Sequence, residues 1–113
     1  MMRYLEWLFA TLGGLLGALH VALTAVLYRH ASLDALWFGG TGLGIAAVAV
    51  VNMVGLRAGD RSSPKIILAA NTAMAAYFGY VWTFMNAPQV ALGFVLFAGL
   101  AVCSAVRALK VPT

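Results

Sequence analysis

Few residues in this chain have chemistry to offer, and His20 is the sharpest of them. It is an ionisable ring inside the apolar run Tyr4 to Tyr28. An ionisable group in hydrocarbon is costly and by default points to function. Counting along a helix at its 1.5 Å rise puts His20 about 5 Å outside the centre of its run. Thr41 and Tyr80 come out at about the same depth on their own segments. The three make a candidate site for a proton, a haem or metal ion, or a quinone-like or other lipophilic ligand. Haem held by two histidines needs a second one at depth, and His30 stands in a polar connection, so only a symmetric dimer would supply it. The other reading of His20 is a neutral ring hydrogen-bonded to Thr24, Thr41 or a tyrosine.

The remaining candidates are weaker. Glu6, one turn into the same run, reads as solvated or as paired with Arg3 or Arg107. A proton path from Glu6 to His20 would cross about 21 Å, with nothing titratable between them on that face. Cys103 sits in another apolar run at a different depth from His20, and as the single cysteine it has no partner within the chain. There are no paired carboxylates, no metal-spaced Cys/His cluster and no glycine-rich phosphate loop. The sequence therefore predicts no catalytic residue, no metal site and no cofactor, and an enzyme is the less favoured class.

The solvent explains this scarcity. Of 113 residues, 64% are hydrophobic and 9% charged, with a mean hydropathy of +0.96. Soluble domains carry about 25% charged residues. The net charge of +4 does not point to nucleic acid, because the basic residues sit at the ends of apolar runs without interleaved aromatics. They read as topology anchors, with some attraction to anionic headgroups.

The longest polar run, Leu56 to Lys65, divides the chain into two apolar halves and carries Arg57, Arg61 and Lys65. The first run, 4–28, is too long for the 7–15-residue apolar core of a signal peptide and matches a membrane span. Ser32 is placed to cap a second helix over 35–56, with Asp34 in its first turn where the helix dipole favours an anion. Ser62 or Ser63 would cap a third over 65–85, with Pro64 at its first position. Asn86 and Pro88 repeat that logic for a fourth over 88–108. The expected fold is all-α, an integral membrane bundle of four spans in two helical hairpins, forming a single membrane domain over residues 1–113.

Each helix carries a stripe of small and polar residues. Glu6, Ala10, Gly13, Gly17, His20 and Thr24 share one face of the first, and Asp34, Thr41, Val48 and Asn52 one face of the second. Thr72, Gly79, Thr83 and Asn86 do so in the third, and Gln89, Gly93, Leu100, Ser104 and Arg107 in the fourth. In lipid such stripes mark packing faces, since small residues let backbones approach and polar ones hydrogen-bond across. Gly13 with Gly17, and Gly40 with Gly44, are the sharpest instances. Asn52 and Asn71 fall at similar depth and can bond to each other. Tyr77, Tyr80 and Phe84 form an aromatic face.

These stripes point first to a protein that works by packing, either an accessory subunit among other membrane subunits or a small homo-oligomer. The alternative is a transporter or carrier of a small or lipophilic solute at His20, Thr41 and Tyr80. The partners expected are the lipid bilayer and other membrane subunits or self, not nucleic acid. The positive-inside rule places Arg3, Arg57, Arg61, Lys65, Arg107 and Lys110 on one side against Arg29 on the other. Both termini are thus expected in the cytoplasm, with the protein in a plasma membrane, a bacterial inner membrane. A topology reporter fused after Thr113 or inserted at Gly59 should report cytoplasm, and one inserted at His30 the opposite side. Mixed signals at one position would sink the single orientation.

Overall fold

A computed structural model describes residues 2–59 and 63–110 of the chain. Four helices occupy almost all of it: α1 Met2–Leu27, α2 Leu33–Ala58, α3 Pro64–Trp82 and α4 Pro88–Lys110. The anchor Arg61 and the alternative cap Ser62 lie outside the described residues. The molecule is an elongated bundle, 50 × 26 × 23 Å. Helices α1, α2 and α4 are long and apolar enough to cross a membrane. Helix α3 has 19 residues, about 28 Å at the helical rise, and carries Lys65 in its first turn.

Local signals set most of the helix ends. Ser32 is the N-cap of α2, and its Oγ accepts from the Ala35 N–H at 3.1 Å. At the other end Gly59 adopts φ 58° and returns its N–H to the Gly55 carbonyl, a left-handed stop that suits a residue without a Cβ. Pro64 opens α3, although Ser63 at the N-cap position makes no side-chain bond. Two expectations fail where α3 meets α4. Helix α3 ends at Trp82 rather than Met85. The N–H groups of Thr83 and Phe84 turn to the carbonyls three residues back, Tyr80 and Val81, at 3.1 and 2.9 Å, and the Thr83 hydroxyl joins the Tyr80 carbonyl at 2.7 Å. Asn86 does not cap α4. Its Nδ2 donates back to the Trp82 carbonyl at 2.8 Å and closes α3 instead.

Successive helices run antiparallel. α1 packs along α2 and α3 along α4; α1 meets α4 less extensively, and the α2–α3 seam is the sparsest. At the α1–α2 crossing a Cβ on Gly17 would stand 2.6 Å from the Ala46 nitrogen, and one on Gly42 would stand 2.9 Å from the Gly17 carbonyl oxygen. The two backbones touch, and no side chain fits at either position. The core between the hairpins is built on Ile45, Phe78, Leu96, Phe97 and Leu100, all buried. Phe78 and Phe97 stack there at 6.0 Å, Phe78 filling the space that a side chain at position 93 would need.

The outward faces are apolar: Leu15, Val26, Leu43, Val54, Phe84 and Val102 are all exposed. A bundle with polar groups inside and large hydrophobics outside suits a lipid solvent, not water. The inward faces are those expected for α1 and, past the exposed Gln89, for α4. Helix α2 instead buries Ala35, Gly42, Ile45, Ala49 and Asn52, one position round from the expected stripe, of which Asp34 is exposed and Thr41 and Val48 are half-buried. The expected face of α3 fails as well. That helix buries Ile67, Asn71, Ala75 and Phe78, while Thr72 points outward.

The crossing yields a test. Gly17→Leu and Gly42→Leu must force the touching backbones apart and should each cost about 3 kcal/mol, the upper end for overpacking. Gly13→Leu needs only the tip of the Phe97 ring, 3.2 Å away, to shift, and should cost less. Val95→Leu, on an exposed face, should stay within about 0.5 kcal/mol. Reversible unfolding in mixed micelles ranks the four; equal tolerance would refute the crossing.

Candidate functional site

Polar side chains collect at three levels along the bundle. At the end shared by the start of α1 and the close of α2 and α4, Glu6 is buried and its Oε2 lies 3.1 Å from Nη2 of Arg107. Neither atom has a well-aligned hydrogen bond, so the two meet as charges and tie α1 to α4. Beside them Arg3 donates to the Leu56 carbonyl at 3.0 Å, one of the carbonyls a helix leaves unpaired at its last turn. Of the two partners open to Glu6, Arg107 takes it.

The second level is a closed network. Asn52 Nδ2 donates to Asn71 Oδ1 at 2.6 Å, and Asn71 Nδ2 donates to Asn52 Oδ1 at 2.9 Å. The remaining amide hydrogens go to the Val48 carbonyl and to Ser104 Oγ, both at 2.9 Å. Ser104 passes its own proton to the Leu100 carbonyl at 2.7 Å. All three residues are fully buried, and every amide N–H is used. The network joins α2, α3 and α4 and leaves no group free for a ligand.

The third level, towards the α1–α2 and α3–α4 turns, is different. Here a chamber of about 330 Å³ is lined by His20, Asp34, Thr41, Tyr77 and Gln89. Its rings are Tyr28, Trp37, Phe38, Tyr77 and Phe78. His20 stacks flat on Phe38 at 4.1 Å, and Tyr28 leans on Phe38 at 5.7 Å. The hydroxyls named as partners for His20 are engaged elsewhere. Thr24 Oγ1 donates to the His20 backbone carbonyl at 3.0 Å, and Thr41 Oγ1 to that of Trp37 at 2.8 Å. Thr41 Oγ1 also lies 3.3 Å from the Tyr77 hydroxyl, across the α2–α3 seam. Among the described residues the one ion pair is Glu6 with Arg107, so the Asp34 carboxylate is unpaired.

The structure thus brings His20 and Thr41 to one chamber, and Tyr80 is not with them. Tyr80 is exposed and edges Phe84 at 5.1 Å, while Tyr77, one turn earlier, takes the place expected for it. Asp34 and Gln89 are legible in the sequence as stripe members but not as walls of a site. Gly13 and Gly17 are buried against α4 and α2, and Asn52 and Asn71 form the central pair. Gly40 and Gly44 touch no neighbour: a Cβ at either position meets nothing within 4 Å. They line a groove of about 810 Å³ along the α2–α3 seam, with Leu36, Val48, Ala70, Ala73 and Met74. Trp37, Thr41 and Tyr77 belong to the walls of both spaces, so the chamber and the lateral groove are neighbours with a shared partition.

The described residues contain no group of three or more His, Cys, Asp and Glu able to hold a metal ion. No known family model, curated protein or solved structure matches the chain.

The asparagine pair supplies a check on the packing. Asn71→Leu should cost about 1–2 kcal/mol, since it strands the Asn52 amide. The double change Asn52→Leu with Asn71→Leu should cost less than the sum of the singles. Additive losses in a double-mutant cycle would show that the two amides do not interact.

Proposed function

We propose that this chain is a four-span integral membrane protein of a plasma membrane, both termini cytoplasmic, that binds and carries a small or lipophilic solute at His20, Thr41 and Tyr77. The arrangement that carries this reading is the chamber and its side groove. Polar groups in a membrane interior ordinarily pair with each other, and those of the lower two levels do. Around the chamber the Thr41 hydroxyl is engaged, whereas the side chains of His20, Asp34 and Gln89 make no hydrogen bond among the described residues and border the space. Convergent polar groups in an aromatic-lined cavity are the usual form of a ligand site. The groove on the α2–α3 seam gives a solute dissolved in the bilayer a way in from the side. Helix α3 is the weakest of the four spans by composition. Its Asn71 faces inward to the network, which supports counting it as a span.

A second reading keeps the expectation of an accessory subunit or small homo-oligomer. It is favoured by Gly40 and Gly44, which present a bare backbone stripe with no helix against it. A single measurement separates the two. The chain purified in nonionic detergent should bind the neutral lipophilic fluorophore N-phenyl-1-naphthylamine at one per chain. His20→Leu and Thr41→Leu, which replace the polar walls with bulk, should weaken that binding about tenfold or more while leaving helix content and particle mass unchanged. Absence of binding, together with stoichiometric larger subunits in the purified material, would replace the carrier reading with the packing one.

A further inference from the structure

The chamber has a chemical character more specific than lipophilic. Its walls include Tyr28, Trp37 and Tyr77, with Phe38 and Phe78 each giving one face to another ring, and the exposed carboxylate of Asp34 borders the same space. Aromatic faces carry negative charge density, and several of them around a cavity select an organic cation, most strongly where a ring is Trp. An unpaired carboxylate at the mouth adds the counter-charge. The basic residue on the chamber wall is His20, whose ring lies stacked on Phe38. Arg29 and His30 line a different hollow, on the α1–α2 side with Ala31 and Gly39, and no Lys or Arg lines the chamber. The space beside it is the opposite in kind. The groove runs down α2 from Leu33 to Val48 with no charged wall, and it shares Trp37, Thr41 and Tyr77 with the chamber. One compartment suits a cationic head and the adjoining one an alkyl tail.

We infer that the chamber and groove form one composite site for an amphiphile with an organic ammonium head and an apolar tail. The head sits among the rings beside Asp34, and the tail lies over Gly40 and Gly44. The proposal rests on the solute-binding reading above and names its ligand class. The glycines then have a role other than helix contact: a side chain at either would fill the tail groove. Two sources offer this chemistry, an ammonium-bearing lipid such as phosphatidylethanolamine from the surrounding leaflet and a free cationic amphiphile.

The test uses the full chain in nonionic detergent, with bound N-phenyl-1-naphthylamine as reporter. Dodecyltrimethylammonium should displace it about tenfold more tightly than a neutral ether of the same chain length. Asp34→Asn should bring the ratio of the two affinities, read in the same variant, to about one. Tetramethylammonium, a head without a tail, should bind about a hundredfold more weakly than dodecyltrimethylammonium, and Gly44→Leu should remove most of the difference. Both substitutions are at exposed or open positions, and helix content and elution volume confirm the fold. Equal affinity for the cationic and neutral chains in the wild-type protein would overturn the ammonium assignment while leaving the solute site standing. Failure of the fluorophore itself to bind would remove both. Native mass spectrometry of chain extracted from phosphatidylethanolamine-containing membranes separates the sources. Lipid that co-purifies and is displaced by dodecyltrimethylammonium assigns the site to headgroups, and an empty site that takes dodecyltrimethylammonium assigns it to a free amphiphile.

Discussion

Helices in lipid gain almost nothing by hiding apolar side chains from one another, because the tails around them are equally apolar. What remains is close approach and hydrogen bonding. This bundle has one strong instance of each. Gly17 and Gly42 bring two backbones into contact, which fixes α1 on α2. The Asn52, Asn71 and Ser104 network fixes α2, α3 and α4 by three side-chain bonds between helices, with the remaining protons returned to carbonyls of α2 and α4. An asparagine amide placed in hydrocarbon without partners would be expensive, so the network specifies register as well as adhesion. Sliding α3 by one residue would strand both amides.

These fixed points divide the bundle into two kinds of interior. On one side of the asparagine layer every charge in the interior has an answer, Glu6 in Arg107 and the α2 carbonyls in Arg3. On the other side the polar groups outnumber the contacts between them, and they surround a space. The aromatic residues follow the same division. Phe78 and Phe97 are spent on each other in the core, whereas Trp37 is largely exposed and walls two cavities. A bundle built only to pack would be expected to close both ends alike.

Much of this is legible in the chain. Ser32, Pro64 and Pro88 mark the helix starts, and the Asn52 and Asn71 pairing follows from depth alone. The composition sets the solvent. The errors are errors of helix phase. Residues 77 and 80 differ by about 4.5 Å in depth but by about 60° around the axis. Depth alone favours Tyr80, and only the neighbours of α3 reveal that Tyr77, itself partly exposed, is the one that borders the chamber. The same ambiguity misplaces the α3 stripe. Residues 67, 71, 75 and 78 make as good a helical face as the one through Thr72, and a single buried amide chooses between them. Asn86 misleads because a short polar side chain before a proline serves equally as the next helix's cap or the last helix's stop.

The open seam follows from the same constraints. Asn52 and Asn71 hold α2 and α3 together at one level, and the hydroxyls of Thr41 and Tyr77 meet only at 3.3 Å, a looser contact nearer the other end. Between these two points the groove is lined by the small residues Gly44, Ala70 and Ala73, and by Val48 and Met74, which pack against the core. Two helices pinned by an amide pair and fitted with small residues beyond it leave a gap, because nothing long enough crosses it. Filling the gap with Leu would have sealed the bundle at little cost in lipid. The small residues instead keep a groove whose wall is also the wall of the chamber. Any change in the splay of α2 from α3 therefore alters both compartments together, through Trp37, Thr41 and Tyr77. The groove and the chamber are coupled by the same three side chains.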